Sequence, residues 1–120
     1  MNLGEKLQIR DGQRVAVLGA PAGLALDLPD GSTRVTRPTG ADAVIAFVHT
    51  SADLTGTAAR HAVDAARADR LAWIVYPKAG HLGTDLNRDR LWQLPDGSGV
   101  RPVRQISIDA VWSALRFRPA

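Results

Sequence analysis

Three runs of consecutive apolar residues constrain the fold of this chain more than any other feature of its sequence. They are "VAVLG" at residues 15–19, "AVIAFV" at 43–48 and "LAWIVY" at 71–76. A strand that is apolar on successive residues, and not only on alternate ones, buries both of its faces. Such strands are typical of a parallel sheet that is covered on both sides. The sequence therefore predicts an α/β fold in which these three runs are strands of one sheet.

The segments between the apolar runs predict helices. A short helix is expected from Pro21 onward, and a longer one with an alanine-rich apolar face over residues 51–70. Ser51 or Thr55 is the expected N-cap of the longer helix, since both carry a side-chain hydroxyl. A third, short helix is expected from about Asp85. Helices that alternate with strands predict right-handed crossovers between parallel strands.

Two further strands are expected near the edges of the sheet. "STRVTRP" is short and polar, and "VRPVRQISID" contains Pro102, which cannot donate to a central ladder. The last strand, residues 113–118, follows Ile108 after only about four residues, too few for a parallel crossover. We therefore expect it to pair antiparallel. The pattern predicts a mainly parallel, Rossmann-like sheet, a reduced class I methyltransferase fold with a final antiparallel strand.

Length, charge and cysteine content limit the function classes. The 120 residues predict one domain, residues 1–120, and the absence of cysteine excludes disulfides and a thiolate nucleophile. No apolar run is long enough to cross a bilayer, and the N-terminus lacks the apolar core of a signal peptide, so we expect a cytoplasmic protein. The formal net charge of +3 is too small to argue for nucleic acid as the main partner.

Four short motifs carry a resemblance to a known group. "APAG" at residues 20–23, "PK" at 77–78, "TDL" at 84–86 and "DAVWSALR" at 109–116 occur in this order. Together they resemble an uncharacterised family of small bacterial domains, over about residues 12–117. The resemblance implies a bacterial protein with a reduced Rossmann or methyltransferase-like fold and implies no particular activity. The chain departs from that family at Ala79, where relatives often carry a second lysine after "PK".

The first candidate ligand site is the loop with Gly19, Pro21 and Gly23. A dinucleotide loop needs a tight turn and free N–H groups at a helix N-terminus, and Pro21 has no N–H. Proline suits the first position of a helix, which favours a strand-to-helix turn. After the second strand, Arg37 stands where a ribose-binding fold has an acid. We expect no cofactor, and no tight binding of NAD, NADP or ATP at this loop. The argument against adenosylmethionine is weaker, because that ligand carries no phosphate.

The second candidate ligand site follows the third apolar run. Lys78, His81, Thr84, Asp85 and Arg88 are expected at the carboxyl end of the sheet, where open α/β sheets bind ligands. A cation beside a helix N-terminus predicts a site for a small anion. The alternative is structural, with Thr84 or Asp85 as a helix cap and the cations in surface ion pairs.

A metal site built from His49, His81 and Asp85 has no recognisable ligand spacing, so we expect no metal. The last two strands carry four arginines near Trp112. Arginines beside an exposed tryptophan would bind nucleic acid or an acidic partner. The alternative is that the tryptophan belongs to the core and the arginines make an exposed face soluble. These arginines are Arg101, Arg104, Arg116 and Arg118.

The sequence contains no nucleophile or general base with an orienting partner, so no catalytic residue is predicted. The leading hypothesis is a non-catalytic module that binds a small anionic ligand or a protein partner on a methyltransferase-like scaffold. The alternatives are a minimal adenosylmethionine- or nucleotide-dependent enzyme and a weak nucleic-acid binder.

Overall fold

A single six-stranded sheet organises the molecule. The computed structural model describes residues 3–21, 24, 26, 28–87, 91 and 99–120. The elements in chain order are α1 (Leu3–Lys6), β1 (Arg14–Leu18), β2 (Thr33–Val35), β3 (Ala43–Phe47), a 3-10 helix (Ser51–Thr55), α2 (Thr57–Arg67), β4 (Leu71–Pro77), β5 (Val100–Ser107) and β6 (Trp112–Pro119). The strand order across the sheet is β2-β1-β3-β4-β6-β5.

The sheet is mixed, and the predicted mainly parallel Rossmann-like or methyltransferase-like fold is wrong. β2, β1, β3 and β4 pair in parallel, whereas β6 is antiparallel to both β4 and β5. β5 runs in the same direction as β4, but β6 lies between them, so the one neighbour of β5 is antiparallel. A doubly wound fold also needs helices in its crossovers, and the described residues between β1 and β2 and between β2 and β3 form none.

The helix predicted after β1 is not present at the described residues of that segment. Pro21, Leu24, Leu26 and Leu28 are all non-helical. The three leucines are partly buried against the same side of the sheet. The burial of all three leucines on one side of the sheet is the tertiary contact that overrides the helix prediction.

One face of the sheet is covered by α2. Its buried residues are Ala59, Ala62, Ala65 and Ala66, whose small side chains let the helix lie close to β3 and β4. The N-cap of α2 is Gly56 and not Ser51 or Thr55, because residues 51–55 form the separate 3-10 helix. Within the described part of the chain, no helix is long and apolar enough to cross a membrane.

The opposite face is covered by the N-terminal segment. Leu7 and Ile9 are buried against Trp73 of β4, and the indole Nε1 of Trp73 donates a hydrogen bond to the Leu7 carbonyl at 3.0 Å. Both faces of β1, β3 and β4 are therefore covered, which explains why these strands are apolar on consecutive residues.

The edge strands lie where their sequences predict them. β2, which is short and largely exposed, forms one edge, and β5 forms the other. The pairing of β5 with β6 shifts register between Pro102 and Arg104. Pro102 pairs with Phe117 and Arg104 with Arg116, so Val103 is the extra residue of a β-bulge.

Candidate functional site

An open cleft of about 710 Å³ lies at the carboxyl end of β4, beside the paired ends of β5 and β6. Described residues of all three strands and of the loop after β4 line it. They are Tyr76, Lys78, Ala79, Asn87, Gln105, Ile106, Ser107 and Ser113. The cleft is therefore formed where the parallel and antiparallel parts of the sheet meet.

Lys78 is held at the wall of this cleft by both its backbone and its side chain. Its backbone N–H donates to the carbonyl of Val111 at 2.7 Å, and its Nζ donates to the hydroxyl of Ser107 at 2.8 Å. Ser107 in turn donates to the carbonyl of Asp109 at 3.2 Å. An ammonium carries three N–H donors, so two remain for a ligand.

The other polar groups of the cleft are hydroxyls and amides. Gln105 donates through Nε2 to the hydroxyl of the buried Tyr76 at 3.1 Å. Ser113 is 4% exposed and pairs across the sheet with Ser107. Among the described lining residues there is one cation and no carboxylate. This composition suits a ligand with a negative charge and oxygen acceptors.

Lys78 is the described residue of the predicted sites that lines the cleft. The other described site residues after β4 contact the loop after β3 or are exposed. Thr84 donates through Oγ1 to the carbonyl of His49 at 2.5 Å. Asp85 accepts from the backbone N–H of Ser51 at 2.8 Å and from its hydroxyl at 2.5 Å. His81 is exposed, and its carbonyl accepts from the Thr84 N–H at 3.0 Å. These contacts connect the loop after β4 to the loop after β3.

The helix expected from Asp85 does not begin there. Residues 84–87 are non-helical, and the described helical hydrogen bond of this region runs from the Leu91 N–H to the Asn87 carbonyl at 3.2 Å. The Asp85 carboxylate accepts two hydrogen bonds from Ser51 in the loop after β3. Thr84 and Asp85 therefore add no helix N-terminus to a ligand site. Arg88 lies outside the described residues.

The loop after β1 lies at the same end of the sheet as the cleft but on the other side of β4. Gly19 has a φ of +72°, and a Cβ at this position would lie 3.2 Å from the carbonyl oxygen of Phe47. Glycine therefore suits both the turn and the close approach of β1 to β3. Pro21 is exposed and starts no helix, so the described loop offers no helix N-terminus to a phosphate. Gly23 lies outside the described residues.

The imidazole of His49 and the carboxylate of Asp85 are engaged elsewhere. His49 Nε2 is hydrogen-bonded to the carbonyl of Leu82 at 2.5 Å. In the described ranges, no group of three histidines, cysteines or carboxylates lies close enough to hold a metal ion.

Trp112 is 8% exposed and packs edge-to-face on Phe47, with ring centroids 5.5 Å apart, so it is a core residue.

Tyr76, Gln105 and Ser107 were not predicted as site residues. Gln105 and Ser107 are two residues apart on β5, so their side chains lie on one face of the strand. This spacing is the one feature of the sequence that could have indicated them. Their proximity to Lys78 depends on the pairing of β5 and β4 with β6, which the sequence does not show.

In comparisons with known proteins, no family model matches this chain, and no curated protein matches it. The resemblance to a family of small bacterial domains therefore stays a prediction.

Proposed function

We propose that this protein binds a small anionic ligand, with a carboxylate or a phosphate group, in the cleft beside Lys78, and that it does so without catalysing a reaction. The observation that carries this proposal is the ammonium of Lys78, held 2.8 Å from Ser107 in an open cleft whose described lining contains no carboxylate. The volume of about 710 Å³ is in the range of small-molecule sites.

The ligand chemistry follows from the donors. Lysine is a compact point charge that binds a carboxylate or phosphate oxygen in many geometries. The amide of Gln105, whose Nε2 has a second N–H besides the one donated to Tyr76, supplies a neutral hydrogen bond to a further oxygen. A ligand with one anionic group and a few hydroxyl or carbonyl groups matches this set.

The direction of the hydrogen bonds supports binding over catalysis. A serine and a lysine side by side are the pair used by some hydrolases, in which the lysine takes the serine proton. Here Lys78 donates to Ser107, and Ser107 sends its own proton to the Asp109 carbonyl at 3.2 Å. We therefore assign Ser107 as a support for the lysine.

A calorimetric and thermal-shift panel tests the proposal. Wild type, Lys78→Ala and Lys6→Ala are compared with inorganic phosphate, pyrophosphate, succinate, citrate and neutral polyols. Lys6 lies in α1 and is the other lysine of the chain, which makes it the matched control. A hydrogen bond to a charged group contributes about 1.5–3 kcal/mol, so Lys78→Ala is expected to weaken anion binding about 10- to 100-fold. Equal affinities in all three proteins, or a preference for neutral ligands, contradict the proposal.

The same panel separates the alternatives. Adenosylmethionine, NAD, NADP and ATP are included, because tight binding that Gly19→Val abolishes would favour a cofactor-dependent enzyme. A bacterial origin, a cytoplasmic location and a protein partner stay predictions of the sequence.

A further inference from the structure

A second cluster of charge lies away from the Lys78 cleft. Four arginines occupy directly opposed positions on β5 and β6, with Arg104 paired to Arg116 and Arg101 paired to Arg118. Directly opposed residues of an antiparallel pair share one face of the sheet. We name Arg101, Arg104, Arg116 and Arg118 the arginine array. Arg116 lies two and four residues after Ala114 and Trp112, so the three side chains share one face of β6. That face is the one covered by the N-terminal segment.

The β-bulge is what places all four arginines on one face of the sheet. Arg101 and Arg104 are three residues apart, and simple alternation would put them on opposite faces of β5. The extra residue, Val103, restores them to one face. Bulges occur preferentially at sheet edges and beside functional sites, where they redirect a side chain.

The charge of the array is compensated only in part. Arg118 Nη2 lies 3.3 Å from Oδ1 of Asp69, and Arg116 Nη1 donates to Oε1 of the neutral Gln8. Four arginines and one described carboxylate leave an excess of three positive charges. Like charges placed directly opposite each other destabilise a strand pair.

Arg116 shows the strain of this arrangement. Burial lowers the pKa of its guanidinium, Arg118 and Arg104 lower the pKa further, and Asp69 opposes them. Its Nε is buried, and no hydrogen-bond partner is found for it among the described residues. An anion placed between the arginines would relieve the repulsion.

We propose that the arginine array binds the phosphate backbone of double-stranded nucleic acid without regard to sequence. The array occupies two opposed pairs of positions along two strands, so its charges repeat along the sheet edge and match a ligand with repeated charges. Guanidinium groups bind phosphate through two parallel hydrogen bonds, and all four cations here are arginine.

The surroundings favour a duplex over a single strand or a protein. Single strands are bound by stacking on exposed aromatic rings, but Trp112 and Phe117 of β6 are 8% and 1% exposed. A protein interface has an apolar core, whereas the large apolar residue described as exposed on β5 is Val103 alone. Binding by charge without base contacts leaves the phosphate backbone as the recognised element.

The test is fluorescence anisotropy of two short DNA duplexes of different sequence over a range of salt concentrations. Two to three neutralised phosphates predict a slope of log K against log salt of about −2 to −3, the same for both sequences. Arg104→Gln is expected to reduce the magnitude of that slope by about 1, and Arg101→Gln with Arg104→Gln to remove most of the binding. Both positions are exposed, so the variants are expected to fold.

The matched control is Arg60→Gln, an exposed arginine of α2 on the opposite face, which is expected to leave the slope unchanged. Lys78→Ala is also expected to leave it unchanged, so this proposal and the anion cleft fail separately. The proposal is overturned if no duplex binds at low salt, if Arg60→Gln has the same effect as Arg104→Gln, or if poly-glutamate or a single strand binds more tightly than the duplex.

Discussion

The ammonium of Lys78 donates a hydrogen bond to the hydroxyl of Ser107 at 2.8 Å, across the intervening strand β6. The bond connects the end of β4 to the end of β5, two strands that have no backbone pairing with each other. Because the Lys78 backbone also donates to Val111 at 2.7 Å, the cation is positioned before a ligand arrives. Preorganisation of this kind lowers the cost of ordering a side chain on binding.

Removing the support is expected to weaken the cleft less than removing the charge. Ser107→Ala keeps the ammonium but deletes a neutral partner, whose contribution is about 0.5–1.5 kcal/mol, so affinity for inorganic phosphate should fall about 2- to 10-fold. Lys78→Ala should cause the larger loss. Calorimetry with phosphate measures both, and a Ser107→Ala loss equal to or greater than that of Lys78→Ala would contradict the assigned roles.

Arg104→Gln is expected to stabilise the protein while it weakens duplex binding. Removal of a like charge directly opposite Arg116 should raise the free energy of unfolding by about 0.2–1 kcal/mol at low ionic strength. The gain should shrink as salt screens the exposed charges. Urea unfolding at two salt concentrations measures this, with Arg60→Gln as the control. A loss of stability in Arg104→Gln would show that the array is not under repulsion.

Trp73→Phe is expected to destabilise the packing of the N-terminal segment. The substitution removes the donor to the Leu7 carbonyl in a fully buried environment, which costs about 1–3 kcal/mol in addition to the lost volume. Trp112→Phe is the matched control, because it removes a similar volume at a residue whose contact is edge-to-face packing on Phe47. Denaturant unfolding that gives equal losses for the two variants would argue against the importance of the hydrogen bond.

Asp85→Ala is expected to loosen the contact between the loops after β3 and β4. Asp85 accepts two hydrogen bonds from Ser51, so the backbone amide of Ser51 should exchange with solvent about tenfold faster in the variant. Hydrogen exchange followed by NMR measures this amide directly. Asp64→Ala, which removes an exposed ion pair to Arg67 on α2, should leave the Ser51 rate unchanged. Unchanged exchange in Asp85→Ala would show that the loop is held by other contacts.

The positions of the individual strands could be predicted because they depend on local hydrophobicity. β1, β3 and β4 coincide within one residue at each end with the three apolar runs. The edge positions of β2 and β5 follow from polarity and from Pro102, since an edge strand tolerates exposed residues and a missing donor. The alanine face of α2 follows from helical spacing in the same way.

The fold class could not be predicted, because it depends on the order of the strands across the sheet. The predicted parallel sheet was wrong since β6 inserts between β4 and β5, and no local pattern in either strand specifies that order. The helix predicted after Pro21 was wrong at the described residues of that segment, where three leucines are partly buried against the sheet, a tertiary burial that overrides helix preference.

For the two candidate sites, the sequence by itself determined the chemical groups, and the tertiary structure decided their partners. Lys78 could be placed at the carboxyl end of a buried strand from the apolar run before it. Its partner Ser107 lies 29 residues away and reaches it only through the antiparallel register of β6. The arginines of β5 share a face only because a bulge inserts Val103, and a single extra residue in a ladder reverses the side on which every later side chain lies.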